Sequence, residues 1–127
     1  MPSLAQHESG VPAPPPLPVL DHDVVEELRS VMGPEYRTLV DLFLADAPAL
    51  INQLEAAAAA EDIPAMVAPA HTLKSSSANL GAMALSASAK RIELGARTGK
   101  LPRPTIAVVL LETEFRKAQT SLQRLQP

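Results

Sequence analysis

Ala70-His71-Thr72-Leu73-Lys74-Ser75-Ser76-Ser77-Ala78-Asn79-Leu80-Gly81-Ala82 is the stretch on which the fold and the chemistry of this chain turn. At about 100° per residue, Met66, Leu73, Ser77 and Leu80 fall within one narrow arc, and His71 projects roughly half a turn away. The stretch therefore predicts a helix with an apolar side and a histidine turned to water. A histidine so placed has no packing reason to be there. Lys74 and Ser75, three and four positions on, share its face. Ala68 and Ala78 keep that face low, so a partner surface can approach the ring. A nucleophilic imidazole, an adjacent cation and a flat docking surface point to phosphoryl chemistry on histidine.

Helical periodicity continues on both sides. Asp21 or Asp23 is placed to cap a short helix ending near Met32, with Val24, Leu28 and Val31 as its apolar stripe. Gly33-Pro34 separates it from a second helix over Pro34 to Ala60, whose stripe is Tyr36, Leu39, Val40, Phe43, Ala47, Leu50, Ile51 and Leu54. Pro48 should bend that helix without ending it. Asp62 is the expected cap of the His71 helix, and Pro69 predicts a kink or a late start there. Gly81 closes it. A fourth helix follows from Met83 to Arg97, packing through Leu85, Ala89, Ile92 and Ala96. The last runs from Thr105 to Leu125 with Val108, Leu111, Phe115, Ala118 and Leu122 inside. The fold class is all-α: an antiparallel four-helix bundle with an additional short N-terminal helix.

Composition bounds the alternatives. The 127 residues suffice for one small domain, and Tyr36, Phe43 and Phe115 are the only aromatic residues. Apolar and polar residues nowhere alternate over a strand length, so no sheet is expected. The absence of cysteine excludes disulfides and thiolate chemistry. A net charge of −3 argues against nucleic-acid binding. No segment has the length of a membrane span, and no signal peptide opens the chain. Six of the thirteen prolines lie in the first 18 residues, so residues 1–20 read as a proline-rich linker or tail and residues 21–127 as the domain.

The His71 stretch resembles the signature of histidine-containing phosphotransfer (HPt) domains. In that pattern an alanine-histidine-x-leucine-lysine-glycine core leads into small residues and a glycine. Ala70, His71, Leu73, Lys74, Ser76, Leu80, Gly81 and Ala82 match, whereas Ser75 stands in the usual glycine slot. The resemblance covers helix lengths and order over about residues 21–126 and is silent about residues 1–20. It implies a phosphorelay intermediate: His71 accepts a phosphoryl group from the aspartate of one receiver domain and passes it to another. Lys74 offsets the phosphoryl charge, and Ser75 leaves room for approach and offers a hydroxyl.

Glu93 enters by geometry. From the turn at Gly81, His71 lies ten residues back and Glu93 twelve residues forward. On an antiparallel pair their heights differ by only ~3 Å. Glu93 is thus level with His71 and able to accept its inner ring N–H, as carboxylates do beside catalytic histidines. HPt-like domains often carry glutamine or glutamate at this level. The competing reading is a surface salt bridge to Arg97 or Lys90. Arg97 also belongs, with Lys90, Arg91, Lys100 and Arg103, to a positive rim suited to an acidic receiver pocket. Ala68, Ala78 and Arg97 are accordingly the expected partner-binding residues.

No metal or other cofactor is expected in the chain, Mg²⁺ being left to the partner receiver. No nucleotide loop is present, so the chain is expected to be a covalent carrier and not a stand-alone ATP-using enzyme. Expected partners are response-regulator receiver domains and an upstream hybrid sensor histidine kinase, in the same chain or another. The proline-rich lead-in favours the same chain. A monomer is expected, in the cytoplasm, with a tether to an inner-membrane sensor kinase compatible with it and no direct membrane insertion. The rival readings are a receiver-binding module without transfer and, less favoured, a hydrolase using a His71–Glu93 dyad. A convex face of small residues excludes water poorly, which weighs against the hydrolase.

Overall fold

The structure, a computed structural model, describes residues 17–125. Five α-helices follow in order: α1 (His22–Met32), α2 (Glu35–Ala59), α3 (Val67–Asn79), α4 (Met83–Thr98) and α5 (Pro104–Arg124). No strand occurs among the described residues. Packing runs from α2 to α3, α3 to α4, α4 to α5 and back from α5 to α2, so four helices close a ring around one core. The α3–α4 pair is the most extensively packed.

The core is built from the expected stripes. Val40, Leu54, Leu73, Leu85, Ile92, Leu111 and Leu122 are buried, with alanines such as Ala47, Ala70, Ala89 and Ala118 between them. Small residues let the helix axes approach, which suits a core with few aromatics. Phe43 and Phe115 meet across α2 and α5 with ring centroids 6.1 Å apart. The helix α2 runs unbroken through Pro48.

Local differences from expectation have physical causes. Asp21 caps α1, its Oδ1 accepting from the amides of Asp23 at 3.0 Å and Val24 at 3.4 Å. The α1 stripe is rotated, however: Val25 is buried, whereas Val31 is 79% exposed. Leu28 and Met32, three and seven positions after Val25, pack partly against the core, so the rotated stripe runs the length of the helix. Asp62 makes no side-chain cap. A 3-10 turn, Ile63–Met66, is wound between α2 and α3 instead, and it places Pro69 third in α3. There the missing N–H of proline falls among donors that lack an intrahelical partner in any case. Packed chain also reaches back past the expected boundary at residue 20: Leu20 is 6% exposed and the Pro18 carbonyl accepts from the Ala84 amide at 3.0 Å. The rest of the expected tail, residues 1–16, lies outside the described residues.

Gly81 fixes the site-bearing turn. Its φ of +82° is glycine territory, and a Cβ there would meet Val24 Cβ at 3.1 Å and the Asp21 carbonyl at 3.2 Å. Its carbonyl accepts from the Asp21 amide at 2.7 Å. One glycine thus joins α3, α4 and the start of α1.

Candidate functional site

Leu73, buried completely, and Ser77, whose hydroxyl donates to the Leu73 carbonyl at 2.6 Å, hold α3 in one rotation against the core. That rotation turns His71 outward, with 54% of its side chain exposed. Ala68 and Ser75 are exposed and Ala78 half-buried, so low side chains lie before and after the ring.

On α4, Ile92 and Glu93 are both buried, and Glu93 is the group on which the site converges. Its Oε2 lies 2.9 Å from His71 Nδ1, 3.0 Å from Arg97 Nε and 2.9 Å from Arg97 Nη2. Its Oε1 lies 2.8 Å from Lys74 Nζ. That ion pair is the polar contact of the buried Oε1. The two sequence readings of Glu93 are therefore not exclusive, because the carboxylate serves the imidazole and Arg97 together. The pair is not a surface one, since the Glu93 side chain is only 7% exposed. Among the described residues Lys90 makes no ion pair with Glu93.

Electrostatics follow from this crowding. Lys74 beside Glu93 is the largest influence lowering its carboxyl pKa, burial opposes it, and Arg97 and His71 lower it further, to about 2 from an ordinary 4.5. Glu93 is an anion throughout the neutral range. A carboxylate only accepts, so Nδ1 of a neutral His71 carries the proton and Nε2 presents a lone pair to solvent. Lys74 is engaged with Glu93 rather than standing free beside the imidazole.

Sequence reading passed over Ser86. Its hydroxyl donates to the Lys74 carbonyl at 2.9 Å, tying α4 to α3 beside the cluster. The signal was the run Ser86-Ala87-Ser88-Ala89, small residues on a helix that must approach its neighbour closely. Among the described residues no group of three or more His, Asp or Glu is arranged to hold a metal ion. No helix among them is long and apolar enough to cross a membrane.

The profile of the Hpt domain family matches residues 38–125, which include the whole site. Histidine-containing phosphotransfer protein B (HptB) from Pseudomonas aeruginosa PAO1 has a crystal structure similar to this one, with a TM-score of 0.80 and 34% sequence identity. The match covers 84% of this chain and 93% of that one. No curated protein sequence matches the chain. Family profile, bundle and structural likeness agree, and the chain belongs to the Hpt domain family.

Proposed function

We propose that His71 is the residue on which this Hpt domain carries phosphoryl groups in its two-component phosphorelay. Hpt domains exchange phosphoryl groups with receiver domains and histidine kinases. Here the Nε2 lone pair attacks the phosphorus of a receiver's aspartyl phosphate. The N–P bond forms as the P–O bond to aspartate breaks, and the carboxylate leaves. The proton stays on Nδ1, and the ring, now cationic, faces the Glu93 carboxylate. Return transfer to another receiver's aspartate reverses these steps. Lys74 and Arg97, both within reach of Glu93, supply positive charge as the dianionic group arrives. Ser75 contributes a small hydroxyl, and Ala68, Ala78 and Arg97 form part of the receiver contact.

The observation that carries this reading is the half-exposed His71 with Nδ1 bound 2.9 Å from a buried carboxylate. Mg²⁺ for transfer is proposed to come with the receiver. The module is further proposed to act as a cytoplasmic monomer that serves an upstream hybrid sensor kinase, in the same chain or anchored nearby at the inner membrane.

The test is transfer from a phosphorylated receiver domain to wild type and to His71→Gln, with the stability of the label recorded. Acid-labile, base-stable label on wild type alone is expected. Undiminished label on His71→Gln would overturn the assignment. Binding without label on either protein would make the chain a docking module.

A further inference from the structure

Lys74 is held by α4 at both of its ends. Its ammonium lies 2.8 Å from Glu93 Oε1, and its carbonyl accepts from the Ser86 hydroxyl at 2.9 Å. Helix geometry makes this double hold possible. Side chains on an α-helix lean toward its N-terminus, whereas its carbonyls point toward its C-terminus. The Lys74 ammonium therefore reaches back toward the level of His71, and the Lys74 carbonyl points toward the Gly81 turn. On the antiparallel α4 the order is reversed. Ser86 lies nearer the turn, and Glu93, seven residues on, lies nearer His71. Seven residues make about two turns, which puts both side chains on the face of α4 that meets α3.

Ser86 is buried and carries no charge. Among the described residues, its bond to Lys74 and that of His71 to Glu93 are the two hydrogen bonds joining α3 to α4. Apolar packing between the helices is non-directional and tolerates a small slide along their axes. A hydrogen bond does not, because it weakens steeply with distance and angle. The site needs one particular axial offset, at which Nδ1 of His71 and Oε2 of Glu93 meet at 2.9 Å. The Ser86 bond is a directional contact that fixes this offset without drawing on the charges of the cluster.

We propose that Ser86 is a positioning residue for phosphotransfer: its hydroxyl sets the offset of α3 against α4 at which Glu93 meets both His71 and Lys74. The positioning rests on the hydrogen-bond geometry. The consequence for rate rests on the phosphotransfer reading of His71.

Ser86→Ala removes the donor with little change in volume and places the best helix former in a helix, so the full chain should fold. Nitrogen chemical shifts of the imidazole at neutral pH report which ring atom carries the proton. In wild type it should be Nδ1, and in Ser86→Ala part of the population should carry it on Nε2 instead. The Glu93 carboxyl midpoint should rise from about 2 toward the ordinary 4.5. Ser86→Thr, which keeps the hydroxyl, should restore both readouts. Ser88→Ala, which removes another buried hydroxyl from the same helix, should alter neither. Wild-type ring nitrogens and Glu93 midpoint in Ser86→Ala would overturn the positioning role, even with a lowered denaturation midpoint. A threonine variant no better than the alanine one would overturn it too.

Ser86 also lines an open groove of about 580 Å³ between α3 and α4, with Lys74, Ser75, Ala78, Ala87 and Lys90, so an effect on docking is told apart by the donor. Positioning acts on the nucleophile itself. Ser86→Ala should therefore slow labelling several-fold, and by a similar factor, from a phosphorylated receiver domain and from phosphoramidate, a donor too small to need docking. A loss confined to the receiver would assign Ser86 to the docking surface and overturn the positioning role. Failure of both donors to label His71 in wild type would count against the phosphotransfer reading, with the positioning still decided by the ring nitrogens and the Glu93 midpoint.

Discussion

Glu93 concentrates at one residue most of what distinguishes this site. Two cations and an imidazole share its two oxygens, and burial makes each contact count for more than it would in water. With its folded pKa lowered to about 2 from 4.5, the carboxylate contributes stability that is fully present above about pH 4.5 and lost as pH falls toward 2. The advantage of wild type over Glu93→Gln in unfolding free energy, taken from urea denaturation at a series of pH values, should shrink as pH falls from about 4.5 toward 2. A difference independent of pH across the acid range would contradict the ionised hub. Because Lys74 is the largest influence on Glu93, Lys74→Ala should raise the Glu93 carboxyl titration midpoint, followed by NMR, more than Arg97→Ala does. The reverse order would mean that Arg97 is the stronger partner, and equal shifts that neither cation dominates. The level of Glu93 was legible by counting from Gly81 along two helices. Its burial was not, since a glutamate beside Ile92 on an amphipathic helix reads as the polar edge of a stripe.

Among the elements, long helices with threes-and-fours spacing could be read from sequence, and short connections could not. The stripes of α2, α4 and α5 repeat over several turns, so a local ambiguity at one position is corrected by the next. The helix α1 has barely three turns, too few to fix the phase of its stripe, and it turns Val25, Leu28 and Met32 toward the core and Val31 outward against the periodic expectation. The turn after α2 hides a further feature. Glu61 has a φ of +58°, with its amide bonded to the Ala58 carbonyl and the next amide, of Asp62, bonded to the Ala57 carbonyl. This is a Schellman closure with glutamate at the left-handed position where glycine is favoured. Glu61→Gly should therefore raise stability by about 0.5–1 kcal/mol, read from the midpoint of chemical denaturation. No gain would mean that the Glu61 side chain compensates its backbone. Gly81→Ala is the converse. Positive φ and the 3.1 Å approach to Val24 Cβ should together cost about 1–3 kcal/mol. The variant should also loosen α1, seen as faster hydrogen exchange at the Asp21 and Val25 amides.

At the scale of the whole molecule, the fold class followed from periodicity and from the near absence of aromatic and alternating residues. The groove and the ring closure required coordinates, because no spacing rule states which helix faces meet. The exposed surface bears on the state of assembly. Large exposed apolar side chains are scattered: Val31 on α1, Leu42 on α2, Leu94 on α4, and Ile106, Val109 and Leu110 on α5. Only the α5 trio is spaced to form a continuous helical patch. A stable protein interface buries on the order of 800 Å² and about 20–30 residues on each partner, and three side chains supply a small part of that. Isolated apolar residues on a soluble surface are ordinary and need no partner. Sedimentation equilibrium of the whole chain should accordingly return the monomer mass of 13.4 kDa at micromolar concentration. Val109→Lys should leave that mass unchanged. A doubled mass for wild type, restored to the monomer value by Val109→Lys, would show that the α5 patch joins a larger complementary surface.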